Sequence, residues 1–187
     1  MDLIYLHGFA SSGENEKAQI IRREIRDIRL TDPVFPLDPQ KVEAIVDELW
    51  NEAESPVVFI GSSLGGFYAM HFARKFGAPV ICLNPSLEPW ETLKPYAGEV
   101  IPRITGERFQ FKTEYLEEYK RMRTSGRFPE GEAIAFITLD DELLTYEDIG
   151  DYFEDVRRVP EGGHVFTTFG EIIPDIRSFL SNLERKK

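Results

Sequence analysis

The chain has 187 residues, of which 42% are hydrophobic and 29% are charged, and its formal net charge is −11. This length is typical of one domain with a buried core, and the acidic balance argues against binding to nucleic acid or to an anionic membrane. The apolar runs fall far short of the roughly 20 residues that a membrane span needs. We therefore expect one globular domain over residues 1–187, with no membrane and no nucleic-acid partner.

The amino-terminal residues begin directly with a strand pattern and show no basic segment followed by a cleavage site, so no signal peptide is predicted. Cys82 is the sole cysteine. A chain with one cysteine forms no internal disulfide, which is typical of a reducing compartment. The expected location is the cytoplasm, and the sequence leaves monomer and homodimer equally open.

Short apolar runs alternate with segments of helical periodicity, a pattern typical of a parallel sheet with crossover helices. The predicted strands are residues 3–6, 34–36, 57–60, 80–83, 133–138 and 156–159. The predicted helices include residues 14–28, 39–54 and about 169–183, and Asp38 is the expected N-cap of the second. The fold class is α/β, with a compact, mostly parallel sheet flanked by helices.

About fifty residues separate the fourth predicted strand from the fifth, which is too long for a plain connection. Proline-rich irregular segments open this stretch, and residues 112–123 are predicted to be helical. Open α/β sheets bind ligands at the carboxyl ends of their strands, where this insertion begins. We expect residues 87–128 to form a short helical lid that contacts the substrate; the alternative is a structural excursion that covers the edge of the sheet.

The pattern Gly-Ser-Ser-Leu-Gly at positions 61–65 lies between an apolar strand and a helical run. A sharp strand-to-helix turn needs glycines beside its exposed serine, because a Cβ there would collide with neighbouring backbone. The pattern alone arises by chance about one time in twenty in a chain of this length. Its position after a strand and before a helix predicts that Ser63 is a nucleophile.

A serine hydroxyl needs a base to accept its proton, and the chain contains three histidines. His71 lies more than two helical turns beyond Ser63, and His7 directly follows the first strand, so both are expected to be structural. His164 lies on a glycine-containing loop after the last strand. That position predicts His164 as the base of a serine hydrolase.

The acid that orients the histidine is expected between Ser63 and His164, after the penultimate strand. Asp140, Asp141 and Glu142 follow that strand at once, and the three adjacent carboxylates leave the choice open. Acidic residues at positions 147, 148 and 151 are weaker candidates.

The oxyanion hole is expected from two backbone amides: Leu64, directly after the nucleophile, and Phe9 on the loop after the first strand, with Ala10 as the second choice. No spacing of metal ligands and no nucleotide-binding motif is present in the sequence, so no cofactor is predicted.

Five segments resemble the YqiA-type small bacterial esterases of the α/β-hydrolase superfamily. They are residues 3–12, 61–69, 84–85, 141–144 and 162–166. The resemblance spans the chain and implies that Ser63 is the nucleophile, Asp141 the acid and His164 the base, with Phe9 and Leu64 as oxyanion donors.

One departure concerns the acid: the family usually has a glycine before it, where this chain has Asp140, so the choice between Asp140 and Asp141 stays open. The resemblance implies hydrolysis of carboxylic esters or thioesters with small acyl groups. We expect a serine hydrolase that cleaves carboxylic esters with short to medium acyl chains through an acyl-enzyme. The lid is the least similar part, so no substrate preference is implied. The alternatives are an acyl-CoA thioesterase or a C–C hydrolase with the same triad, and a catalytically silent hydrolase fold that only binds ligands.

Overall fold

The computed structural model describes residues 1–185. Its strands are β1 Asp2–Leu6, β2 Arg29–Thr31, β3 Val57–Ser62, β4 Val80–Leu83, β5 Val100–Pro102, β6 Arg108–Gln110, β7 Ala133–Thr138 and β8 Asp155–Val159. Six of them form one parallel sheet in the order β2-β1-β3-β4-β7-β8, while β5 and β6 form a separate antiparallel hairpin. The predicted α/β class with a parallel sheet is confirmed.

The helices are α1 Glu16–Glu24, α2 Pro39–Asn51, α3 Leu64–Phe76, α4 Pro89–Thr92, α5 Glu114–Arg121 and α6 Ile173–Arg185. Short 3₁₀ segments cover Lys94–Tyr96, Ile149–Asp151 and Phe169–Ile172. The predicted cap of α2 is confirmed, because the Asp38 side chain accepts a hydrogen bond from the Gln40 amide and Pro39 occupies the first helical position. None of these helices within residues 1–185 has both the length and the apolar character needed to cross a membrane.

Each face of the sheet carries its own apolar cluster. Alternate side chains of a strand point to opposite faces, so Ile4 and Phe59 pack on one side of the sheet, with α2 and α3. Leu3 and Ile60 pack on the other side, with α1 and α6. The central strands are buried on both faces, which is why their sequences are continuous apolar runs.

The predicted strand at residues 34–36 is wrong. The second strand is Arg29–Thr31, an edge strand that pairs only with β1 and is partly exposed. Residues 34–36 are apolar, but a proline precedes them and another ends them, so the segment has too few N–H donors for a ladder. Its Phe35 amide instead donates to the ring of His7.

The insertion at residues 87–128 packs over the face of the sheet that carries α3. Its apolar side chains belong to the same cluster as that face: Trp90, Leu93, Ile101, Phe111, Tyr115, Leu116, Tyr119, Met122 and Phe128. The predicted helix at residues 112–123 is present as α5. The insertion also contains an element that was not predicted, the hairpin of β5 and β6 between α4 and α5.

Candidate active site

Ser63 occupies the sharp turn between β3 and α3, with φ 56° and ψ −121°. A positive φ at a non-glycine residue stores strain, and such residues cluster at functional sites. A Cβ at Gly61 would lie 2.0 Å from the Gly65 carbonyl oxygen, and a Cβ at Gly65 would lie 1.9 Å from the Leu6 carbonyl oxygen. Both glycines are therefore required for the turn that presents Ser63.

A continuous set of hydrogen bonds joins Ser63, His164 and Asp141. The Nε2 atom of His164 lies 2.9 Å from the Ser63 Oγ, and its Nδ1 lies 3.0 and 3.1 Å from the two carboxylate oxygens of Asp141. The side chains of His164 and Asp141 are 15% and 2% exposed, so the bonds are largely shielded from water. In this geometry one ring nitrogen can accept the serine proton while the carboxylate holds the other.

The Asp141 carboxylate is held by three donors besides His164. It accepts hydrogen bonds from the Leu143 amide at 2.9 Å, the Leu144 amide at 3.0 Å and the Tyr146 hydroxyl at 2.5 Å. Burial opposes the charged form, but the bonds from Tyr146, the two amides and His164 outweigh it and hold the pKa of Asp141 below its usual value. Asp141 is therefore an ionised, fixed partner for His164.

The neighbouring acids bind the backbone of the histidine loop and not its ring. Asp140 accepts hydrogen bonds from the amides of Gly163 at 2.8 Å and Gly162 at 3.2 Å, which lower its pKa. Glu142 accepts one from the His164 amide at 2.9 Å. Among residues 1–185, Asp141 is the acid whose carboxylate lies within hydrogen-bond distance of the His164 ring. The weaker candidates at positions 147, 148 and 151 make no such bond.

The two amides predicted for the oxyanion hole flank Ser63. Leu64 is the first residue of α3, so its N–H has no acceptor within the helix. Phe9 follows Gly8, where a Cβ would lie 3.4 Å from the Ser63 Cβ, so this loop passes directly beside Ser63. The arrangement leaves both amides available at the edge of the sheet where Ser63 is presented.

His7 is hydrogen-bonded to the loop that carries Phe9. Its Nε2 accepts a hydrogen bond from the Phe35 amide at 2.9 Å, so Nδ1 carries the proton and donates to the Gly8 carbonyl oxygen at 2.9 Å. Burial lowers the pKa of His7 to about 4. His71 bonds the Met122 carbonyl oxygen through Nδ1 at 2.8 Å. Neither ring contacts Ser63, in agreement with the structural roles expected for both.

Two buried residues missed by the sequence reasoning anchor the histidine loop. The Asn84 side chain donates to the carbonyl oxygens of Gly163 at 3.0 Å and His164 at 3.3 Å, and its Oδ1 accepts from the Thr138 amide. The Thr138 hydroxyl donates to the Gly163 carbonyl oxygen at 2.9 Å. The φ of Asn84 is 44°, which asparagine tolerates better than most residues, and it marks the sharp exit of β4.

Ser63 and His164 open onto a cavity of about 400 Å³. Its apolar lining includes Phe9, Leu64, Leu93, Tyr96, Leu143 and Leu144, and its polar lining includes Tyr5, Ser11, Asn15, Lys17, Ser86 and Thr92. Residues of the 87–128 insertion therefore contribute to the wall beside Ser63. Within residues 1–185, no group of three or more His, Cys, Asp or Glu side chains is arranged to hold a metal ion.

The model of UPF0227, described as an uncharacterised protein family, matches residues 2–181. The chain belongs to the UPF0227 family. Because the match covers nearly the whole chain, from β1 into α6, the resemblance to YqiA-type proteins is confirmed.

Solved structures with the α/β-hydrolase fold are similar to this UPF0227 chain over most of their length. Alpha/beta hydrolase domain-containing protein 10 from mouse has a TM-score of 0.71 and 16% identity, over 97% of this chain and 90% of that one. Est1E from Butyrivibrio proteoclasticus has a TM-score of 0.69 and 14% identity, over 97% and 87%. The esterase domain of a Rhodothermus marinus protein has a TM-score of 0.62 and 16% identity, over 94% and 83%. At these identities the likeness establishes the fold.

Proposed function

We propose that this UPF0227 protein is a serine hydrolase that cleaves small carboxylic esters with short to medium acyl chains. The observation that carries the proposal is the hydrogen-bonded series from Ser63 Oγ through His164 to Asp141, which opens onto a cavity. The esterase domain among the similar structures supports the same reaction class. Residues 87–128 would act as a lid on a single catalytic domain.

The proposed reaction has two halves. His164 Nε2 takes the Ser63 proton as Oγ attacks the ester carbonyl, and the amides of Phe9 and Leu64 donate to the oxyanion that forms. The intermediate collapses, the alcohol leaves with the proton from His164, and the acyl group remains on Ser63. Water then attacks the acyl-enzyme with His164 as the base, and the acid is released. Asp141 keeps the ring in the required tautomer, and no cofactor takes part.

The test is hydrolysis of a chain-length series of p-nitrophenyl esters by the wild type and by Ser63→Ala, Asp141→Asn and Asp140→Asn. Ser63→Ala is expected to leave only background hydrolysis. Asp141→Asn is expected to lower kcat by about 10⁴-fold, the size of loss seen when a triad acid is made neutral. Asp140→Asn removes only an exposed acceptor of two loop amides, so less than about a tenfold loss is expected.

Equal rates for the wild type and Ser63→Ala would contradict the esterase proposal. Thioesters of matching acyl length, assayed in parallel, would then test the thioesterase alternative. A fluorophosphonate probe separates an enzyme assayed with the wrong substrate from a protein that only binds ligands. An intact triad is expected to give covalent labelling at Ser63, and a catalytically silent fold is not.

A further inference from the structure

The wall of the cavity on the α1 side carries a lysine. Lys17 lies in the first turn of α1 and lines the same cavity as Ser63 and His164. Its Nζ donates a hydrogen bond of 2.5 Å to the carbonyl oxygen of Val165, the residue after His164. The ammonium group is therefore hydrogen-bonded to the loop that carries the proposed base, at the edge of the cavity that would hold a substrate.

Lys17 makes no close ion pair within the described residues. Lys17 is half-buried, and within residues 1–185 no carboxylate lies within 4 Å of its Nζ. The contrast is Lys75, whose Nζ lies 2.7 Å from carboxylate oxygens of both Glu43 and Asp47. An ammonium group has three hydrogens, of which the bond to Val165 uses one. The charge of Glu16 acts on Lys17 from beyond ion-pair distance, and the effect of burial is larger, so the pKa of Lys17 is lowered. A shielded cation without a contacting counter-charge is unfavourable, and a bound anion would relieve that cost.

Tyr5 adds a second donor to this wall. It is 1% exposed and lines the cavity, and burial raises the pKa of its hydroxyl, so the group stays protonated. Its oxygen accepts a hydrogen bond from Asn15 Nδ2 at 3.1 Å, and no acceptor for its own proton is present in residues 1–185. Asn15 has no donor left for a ligand, because its second N–H donates to the Ser12 carbonyl oxygen. Lys17 and Tyr5 therefore each keep a donor for a ligand on this wall, to which Ser11 also contributes a hydroxyl.

Another part of the cavity lining is apolar. Leu93 and Tyr96 of the lid and Leu143 and Leu144 after β7 provide an apolar surface. The protein as a whole carries a net charge of −11, so its overall field repels anions. A preference for an anionic substrate would therefore have to arise from local contacts and not from general attraction.

We propose that the substrate is an ester that carries an anionic group, with carboxylate as the simplest case, bound by Lys17 Nζ and the Tyr5 hydroxyl. This inference rests on the proposed esterase function and names its substrate class. Half-esters of dicarboxylic acids carry the anion on the acyl part, and esters of hydroxybenzoic acids carry it on the alcohol part. The apolar wall would receive the uncharged remainder of the ester.

The experiment compares matched esters with and without the charge. Mono-p-nitrophenyl adipate and p-nitrophenyl hexanoate test the acyl side, while p-carboxyphenyl butyrate and phenyl butyrate test the alcohol side. The proteins are the wild type, Lys17→Met, Tyr5→Phe and Lys41→Met. Lys41 lies on α2 and is exposed, so its replacement makes the same change in net charge away from the cavity.

The wild type is expected to favour the charged member of at least one pair by about tenfold or more in kcat/KM, the effect of a hydrogen bond to a charged group. Lys17→Met is expected to abolish that preference mainly through KM. Tyr5→Phe should weaken it, and Lys41→Met should keep it. The neutral esters serve as the internal control for damage to the histidine loop.

Three results would overturn the inference while leaving the esterase function intact: no charge preference in either pair, a preference that survives Lys17→Met, or equal losses on charged and neutral esters. Should no ester be turned over, the esterase proposal fails separately. Calorimetric binding of the same esters to Ser63→Ala, with and without Lys17→Met, then tests whether Lys17 forms an anion site. Tighter binding of the charged ester that depends on Lys17 supports an anion site, and equal or absent binding refutes it.

Discussion

Asp141 accepts hydrogen bonds from four donors, and these donors fix both its position and its charge. Two are backbone amides of the turn that follows it, one is His164, and one is the hydroxyl of Tyr146. Tyr146 is the single side chain in this set that neither belongs to the proposed triad nor follows from any motif. Its proximity to Asp141 raises its own pKa, after the larger effect of burial, so it remains a donor at all ordinary pH values.

Replacing Tyr146 with phenylalanine tests how much this donor contributes. A hydrogen bond to a charged group contributes about 1.5–3 kcal/mol, so Tyr146→Phe is expected to lower the free energy of unfolding at neutral pH by that amount. Because three donors still hold the carboxylate, kcat should fall by less than about tenfold. Urea unfolding and ester hydrolysis measure the two effects.

The matched control is Tyr152→Phe, which removes the same atom from another half-buried tyrosine. Neither the free energy of unfolding nor the activation free energy of ester hydrolysis should change by more than about 0.5 kcal/mol. A loss of activity in Tyr146→Phe as large as that of Asp141→Asn would mean that the remaining donors do not keep Asp141 in place. The description of a carboxylate held by several independent donors would then be wrong.

The residues of the site differ in how far the sequence could predict them. Ser63 lies in a pattern that sterics impose, and His164 follows from elimination among three histidines. Asp140 and Asp141 are adjacent and chemically identical, so only the turn of the backbone decides which one faces the ring. Tyr146 and Lys17 reach the site from a loop and a helix by tertiary packing, and no spacing in the sequence reports such contacts.

At the scale of secondary structure, the ends of β4 and β7 hold the histidine loop. Asn84 at the end of β4 and Thr138 at the end of β7 are bonded to each other and to the carbonyl oxygen of Gly163. Both are buried, and parallel strands bring their carboxyl ends to one edge. The position of His164 therefore depends on the register of β4 and β7, although neither Asn84 nor Thr138 lines the cavity beside Ser63.

Thr138→Val is the change that tests this link, because valine keeps the shape of threonine and removes its hydroxyl. The variant is expected to lose about 1–3 kcal/mol of stability, since Asn84 and Gly163 each lose a buried partner. We expect kcat to fall by up to about tenfold, because the loop that carries His164 is held less firmly. Thermal unfolding and ester hydrolysis provide the measurements.

Thr105→Val is the control for that experiment, since Thr105 is exposed on the turn between β5 and β6. It should shift stability by no more than about 0.5 kcal/mol. If Thr138→Val lowered stability but left kcat unchanged, the Asn84 and Thr138 bonds would stabilise the fold without positioning His164.

The central strands could be predicted from the sequence because they are buried, and a buried strand is a continuous apolar run. Strands β4 and β7 match the predicted ranges at both ends, since both are continuous apolar runs. The edge strand β2 and the strand β6 carry polar residues, and β5 has three residues of which one is buried, so all three lack a continuous buried apolar run. Residues 34–36 are more apolar than the nearby residues 29–31, so their sequence resembles a strand more closely. In the structure the Phe35 amide donates its hydrogen bond to the ring of His7 and not to a neighbouring strand.

At the scale of the whole molecule, one buried histidine links the stability of the fold to pH. His7 is 6% exposed, and both of its ring nitrogens are bonded to backbone. The bond from the Phe35 amide requires a free electron pair on Nε2, so protonation would break it. Burial accordingly lowers the pKa of His7 to about 4, from about 6.5 for an unperturbed histidine.

His7→Gln tests this coupling, because glutamine can accept a hydrogen bond but does not titrate. Between pH about 6.5 and about 4 the unfolded chain binds a proton at His7 and the folded chain does not, so wild-type stability falls as the pH falls. The contribution of His7 to the free energy of unfolding changes by about 3 kcal/mol over this pH range. The stability advantage of the wild type over His7→Gln, measured by urea unfolding, should therefore shrink by about that amount on acidification. The other acids and histidines titrate in both proteins and cancel, so parallel curves would show that His7 is not held neutral.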